Sequence, residues 1–106
     1  MEISADLIRG HIDTIILKML LKEDMYGYQI CKTIHVTSEG GYELKEATMY
    51  SSLKRLEGDG CIVCYWGDES QGGRRKYYKI TDHGKSVYTQ NTQSWEHAKR
   101  ILEKLL

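Results

Sequence analysis

The chain has 106 residues and a mass of 12.3 kDa, which allows one domain with one core and hardly a second. Its 41% hydrophobic and 28% charged residues exclude a disordered chain and a collagen-like repeat. Lys and Arg number 15 against 15 Asp and Glu, a formal net charge of +0, so binding of a polyanion would have to come from uneven placement of charge.

In chain order, Glu2 and Asp6 stand where a secretory leader carries basic residues, and the most apolar stretch, Ile12 to Leu21, contains Asp13 and Lys18. That stretch has half of the ~20 residues needed to cross a bilayer. A soluble, cytoplasmic chain with no membrane partner is expected. Leu7, Ile8, Ile12, Ile15, Ile16, Met19 and Leu20 recur at helical spacing and predict a first helix from Ala5 to Leu21. Ile30 and Ile34 predict a short second helix within Tyr26 to Ile34, before a turn at Gly40-Gly41. Met49, Leu53 and Leu56 form the apolar stripe of a third helix, Glu46 to Glu57, stopped by Gly58-Asp59-Gly60.

Beyond that helix the period changes to two. Cys61 to Trp66 and Arg74 to Thr81 read as the strands of a hairpin whose tip, Gly67 to Gly73, is polar and glycine-rich. Cys61-Ile62-Val63-Cys64 has CxxC spacing, but the three cysteines and four scattered histidines supply no second pair of metal ligands. The pair reads as small strand residues, and neither a metal nor a cofactor is expected. Thr81 or Asp82 caps a last helix that runs to Leu106.

In that helix Gly84, Tyr88, Asn91, Trp95, Ala98, Leu102 and Leu105 are spaced 4, 3, 4, 3, 4, 3, the seam of a coiled coil. Val87 and Ile101 widen the apolar face beyond one seam. One helix therefore has two surfaces to bury, one against its own chain and one against a second copy, so a homodimer is expected.

Three helices followed by a two-stranded hairpin is the element order of a winged helix-turn-helix, in which the third helix enters the major groove. The expected fold class is mainly α with a small β-hairpin (α+β), with residues 1–81 as the winged helix-turn-helix and 82–106 as a C-terminal dimerisation helix. Charge placement agrees with this order. Residues 1–44 carry four basic and seven acidic side chains, whereas residues 45–81 carry seven basic and five acidic.

On the third helix Ala47, Ser51 and Lys54 lie opposite the apolar stripe, flanked by Thr48, Tyr50 and Arg55, with Lys45 just before it. Short and basic side chains on one face suit close approach to a groove. In the hairpin, Gln71-Gly72-Gly73 leads into Arg74, Arg75 and Lys76, the form of a wing over residues 67–76 laid against a phosphate backbone. Double-stranded DNA is the expected partner. The alternative, from another class, is a winged-helix protein-interaction module without DNA or ligand. No catalytic triad, phosphate loop, paired-carboxylate motif or nucleotide fingerprint is present, so no enzyme and no catalytic residue is expected.

The runs Glu46-Ala47-Thr48-Met49-Tyr50-Ser51-Ser52-Leu53-Lys54-Arg55-Leu56-Glu57 and Gly72-Gly73-Arg74-Arg75-Lys76-Tyr77-Tyr78-Lys79-Ile80-Thr81, together with Gly27-Tyr28 and the single long C-terminal helix, resemble the PadR family of bacterial transcriptional regulators. The run from Tyr65 to Gly73, with Trp95, is similar to its short-tailed, multidrug-sensing branch. The resemblance implies a dimeric winged helix that binds a two-fold operator, usually as a repressor. It also implies a flat aromatic effector held between the Trp95 side chains of the two subunits. Tyr88, Asn91, Thr92 and Ala98 would line such a slot, and Asp13, an acid inside the apolar run of the first helix, would face a cationic guest against the opposing charge of Lys99.

Overall fold

A computed structural model describes residues 1–67 and 73–106. Ser4 accepts a hydrogen bond from the Leu7 amide at 3.2 Å and so starts α1, Ala5–Ile8. The continuous first helix expected from the apolar spacing is interrupted. Arg9–His11 form a 3-10 turn, and α2 begins afresh at Ile12–Lys22. Gly10 sits in that turn and costs a helix about 1 kcal/mol relative to alanine, and the surroundings supply no contact to offset it, since a Cβ there would meet nothing within 4 Å.

A strand that the sequence pattern does not announce follows. β1, Met25–Tyr26, has only two residues, too few to show alternation. Next come α3 (Gly27–Thr37, longer than its two isoleucines indicate), α4 (Glu46–Gly58), β2 (Ile62–Gly67), β3 (Arg75–Ile80) and α5 (Asp82–Leu105). The three strands form an antiparallel sheet in the order β1-β3-β2. Its register places Met25 and Cys64 opposite Tyr78, and Tyr26 and Tyr65 opposite Tyr77. The architecture is a winged helix, mostly helical with a small sheet, followed by a long C-terminal helix. The predicted hairpin strands are present. The part of the predicted wing at residues 68–72, including the glycine turn at Gln71-Gly72, lies outside the described residues.

Ile16, Leu17, Met19 and Leu20 of α2 meet Ile30 and Ile34 of α3, Met49, Leu53 and Leu56 of α4, and Ile62, Tyr78 and Ile80 of the sheet in one core. Each large aliphatic side chain buried there contributes roughly 1.5–3 kcal/mol. The start of α5 is fixed to this body by close contacts. Thr81 Oγ1 donates to the Gly60 carbonyl at 2.7 Å and accepts from the Gly84 amide at 3.0 Å, capping the helix while tying it to the α4–β2 turn. Gly84 faces the Cys61 carbonyl so closely that a Cβ would lie 2.1 Å from that oxygen and 2.7 Å from Ile80 Cγ1. From there α5 runs along α2. Among the described residues no helix is long and apolar enough to cross a membrane.

Candidate nucleic-acid interface

The α4 stripe is buried as its spacing requires, and Ser52 joins Met49, Leu53 and Leu56 inside. Ala47, Thr48, Tyr50, Ser51 and Lys54 are exposed together on the other side, with Lys45 exposed at the N-cap 3.6 Å from Glu43. Negative charge at the start of the helix comes from Glu46. The hydroxyl, aromatic and basic groups of this face therefore point away from the core and form one continuous surface.

Arg55 is exposed too, but its guanidinium turns back toward the body. Nε donates to Asp13 Oδ2 at 2.9 Å and Nη2 to Asp13 Oδ1 at 2.7 Å, a bidentate fork, and Nη2 also reaches Ser52 Oγ at 3.2 Å. The Asp13 carboxylate raises the Arg55 pKa further, so this charge does not titrate. Asp13 and Arg55, expected in two different sites, thus hold each other and brace α4 against α2. A cationic guest at Asp13 would have to displace Arg55.

Arg74, Arg75 and Lys76 are exposed at the entry to β3. Each stands over an aromatic ring: Arg74 is 5.3 Å from the Trp66 centroid, Arg75 4.5 Å from Tyr26 and Lys76 5.7 Å from Tyr78. On the sheet face that carries Tyr26, its ring meets Tyr77 edge-on at 5.6 Å, and Tyr77 stacks on Tyr65 at 5.6 Å with an interplanar angle of 13°. The Tyr65 hydroxyl donates to Asp24 Oδ2 at 2.5 Å, which pushes its pKa up to about 12. Gly67 makes room for this stack, since a Cβ there would lie 2.4 Å from the Tyr77 ring.

The three thiols are free. Burial raises the pKa of Cys31 and Cys61, and the Glu57 side chain raises that of Cys64. All three are protonated near neutral pH and are poor nucleophiles.

Along α5 the expected slot residues divide between two surroundings. Tyr88 and Asn91 are held by α2, where Lys18 Nζ lies 5.7 Å from the Tyr88 ring and Asn91 Nδ2 donates to Thr14 Oγ1 at 2.9 Å. Thr92 and Ala98 are half-buried, and Thr92 Oγ1 bonds the Thr89 carbonyl within its own helix. Trp95 touches the edge of His11, with centroids 4.8 Å apart at 76°, and stays 42% exposed. Lys99 is exposed one turn further on.

Residues 16–90 match the PadR-like family of transcriptional regulators, a span that runs from within α2 through about the first third of α5. The chain belongs to that family. A solved transcriptional regulator from Clostridium thermocellum is 45% identical, covers 96% of each chain and superposes with a TM-score of 0.90. A PadR family transcription regulator from Clostridium difficile is 40% identical over 90% of this chain and 97% of its own, with a TM-score of 0.79. Bacillus subtilis PadR, solved in complex with operator DNA, is 25% identical and has a TM-score of 0.66; the match covers 74% of this chain and 45% of that one. Family and neighbours are transcriptional regulators, which are not enzymes.

For this PadR-like protein, the sequence pattern placed α4 and the wing cations but missed Asp24, Tyr26 and Tyr77, which build the aromatic column beside Arg75. The signal for Tyr77 was present in the alternation of β3, where Tyr78 and Ile80 face inward and the intervening residues outward. Tyr26 and Asp24 carried no such signal, because the two-residue strand that brings them to the wing is defined by its partner alone.

Proposed function

We propose that this chain is a dimeric transcriptional regulator, acting as a repressor, that binds a two-fold operator through the exposed face of α4 and the wing. The observation that carries this reading is the juxtaposition on one molecule of an exposed groove-sized helix face, Thr48, Tyr50, Ser51 and Lys54, with three exposed cations on the adjoining hairpin. Lys45 and Arg55 flank it, and the operator-bound relative supports the same partner. Residues 1–81 form the DNA-binding part. Residues 82–106 join two copies, a role supported by the exposure of Ile101, Leu102 and Leu105 on a helix whose residue spacing is that of a coiled-coil seam.

Fluorescence anisotropy on a duplex from the chain's own upstream region tests this. Log K falls by about 0.9 per log unit of salt for each phosphate neutralised, so Arg74→Ala with Arg75→Ala lowers the slope by about 1.8 if both arginines reach phosphates. Salt-independent binding, or parent-like binding by the double variant, overturns the reading.

The same proposal places a planar aromatic effector between the two Trp95 side chains, with Tyr88, Asn91, Thr92 and Ala98 around it. The Trp95 ring, edge-on to His11 yet still exposed, supports it. Trp95→Ala is expected to weaken binding of a planar dye, read by the dye's own anisotropy, by at least tenfold while operator binding persists, since truncating a central aromatic anchor costs about 2 kcal/mol or more.

A further inference from the structure

The wing cations do not project from the hairpin as independent side chains. Of the three rings beneath them, Trp66 and Tyr78 belong to the hairpin itself, whereas Tyr26 belongs to β1 and lies under Arg75 at the shortest distance, 4.5 Å. Tyr26 continues through Tyr77 to Tyr65, and Tyr65 returns by its hydroxyl to Asp24. The column therefore starts and ends on residues 24–26, which lead directly into α3 of the helix-turn-helix.

Two consequences follow from elementary physics. A guanidinium held over a ring face spends none of its N–H donors on that ring, so the cation is positioned while its donors remain for a phosphate. Side-chain freedom removed in the free protein is not lost again on binding. The hydroxyl bond from Tyr65 to Asp24 adds to this for β2, because β1 pairs with β3 and not with β2, so the bond links β2 directly to the segment that leads into β1.

We propose that Asp24, Tyr26 and Tyr65 are positioning residues for DNA binding, holding the wing and Arg75 in the orientation in which that cation meets the phosphate backbone. This rests on the reading of the chain as a DNA-binding regulator. None of the three supplies positive charge to the duplex, so their loss has a signature distinct from loss of a contact: affinity falls while the number of neutralised phosphates stays constant.

The experiment uses the full-length chain and a duplex selected by sequencing DNA fragments it retains, with anisotropy titrations at several salt concentrations. Tyr65→Phe keeps the stacked ring and removes only the hydroxyl bond; Tyr26→Ala removes the ring under Arg75. Each is expected to weaken binding by about threefold to tenfold, the cost of ordering one long side chain, with an unchanged salt slope. Tyr26→Phe, which retains a ring face, binds as the parent does, and Asp24→Asn, which retains an acceptor, binds better than Asp24→Ala. Arg75→Ala lowers the slope by about 0.9. Parent-like affinity for Tyr65→Phe and Tyr26→Ala, alongside loss of binding by Arg74→Ala with Arg75→Ala, overturns the positioning role and leaves the DNA-binding reading standing. Parent-like binding by the double arginine variant overturns the DNA-binding reading itself.

Discussion

Two helices of this protein carry apolar stripes of the same kind and end in opposite situations. In α4, Met49, Leu53 and Leu56 are all buried within the one core, and the polar face opposite is left open. In α5, Gly84 is buried, Tyr88 and Asn91 are half-buried along α2, Ala98 is half-buried, and Leu102 and Leu105 are exposed. A periodic stripe thus says which residues share a surface and does not say what covers that surface. For α4 the cover is the rest of the chain; the far end of α5 stays exposed among the described residues, and the proposed cover is a second copy.

The sharpest way to break this contrast is to truncate one leucine on each helix. Leu53→Ala leaves a cavity in the core and is expected to cost about 3 kcal/mol in urea unfolding, since the side chain is 2% exposed. Leu105, 74% exposed, has no comparable environment in its own chain. Leu105→Ala should leave unfolding of a dilute sample unchanged and lower stability only at concentrations where the proposed dimer forms. An equal loss for both variants at low concentration would mean that the end of α5 folds onto its own chain.

Next in size is the anchor between the two regions. Gly84→Ala forces a Cβ against the Cys61 carbonyl, a backbone atom that cannot rotate away. The strain is expected to exceed the gain in helix propensity and to cost about 2 kcal/mol net by thermal or urea unfolding. A neutral result would show that the start of α5 is free to move away from β2.

The smallest effect concerns the wing side of the comparison and appears at high pH. The Tyr65 pKa is raised from the ordinary 10.0 to about 12 by its bond to Asp24. A group with a raised folded pKa stabilises the fold fully below its unfolded value, and that contribution disappears as pH rises through the folded value. The parent should therefore lose stability relative to Tyr65→Phe between pH 10 and about pH 12. Ultraviolet difference absorption of the phenolate, followed alongside unfolding, checks it. Titration of Tyr65 at its ordinary value would show that the Asp24 bond does not persist in solution.

Much of the fold was legible in the residues because it is written in local periods. Met49, Leu53 and Leu56 at helical spacing and Tyr78 and Ile80 at strand spacing located α4 and the wing, and the open face of α4 followed from the same count. The break in the first helix was less visible. Gly10 is a single residue inside a strong apolar pattern, and only the folded backbone shows that a 3-10 turn is the outcome. The surroundings of the candidate site were hidden for a different reason. Asp13 and Arg55 are 42 residues apart, and Tyr65 and Asp24 are 41 apart, so neither pair produces a local pattern.

By itself, then, the sequence determined which residues turn inward, which cations flank α4, and the order of helices and hairpin, because burial of apolar side chains acts at every third or fourth residue of a helix and every second of a strand. Tertiary structure alone decided the pairing of groups that meet across the fold: Arg55 held by Asp13, Arg75 seated on Tyr26, and Tyr65 tied to Asp24. Such contacts depend on direction and on distances of a few ångströms between distant segments, and those are set only when the core that brings the segments together has closed.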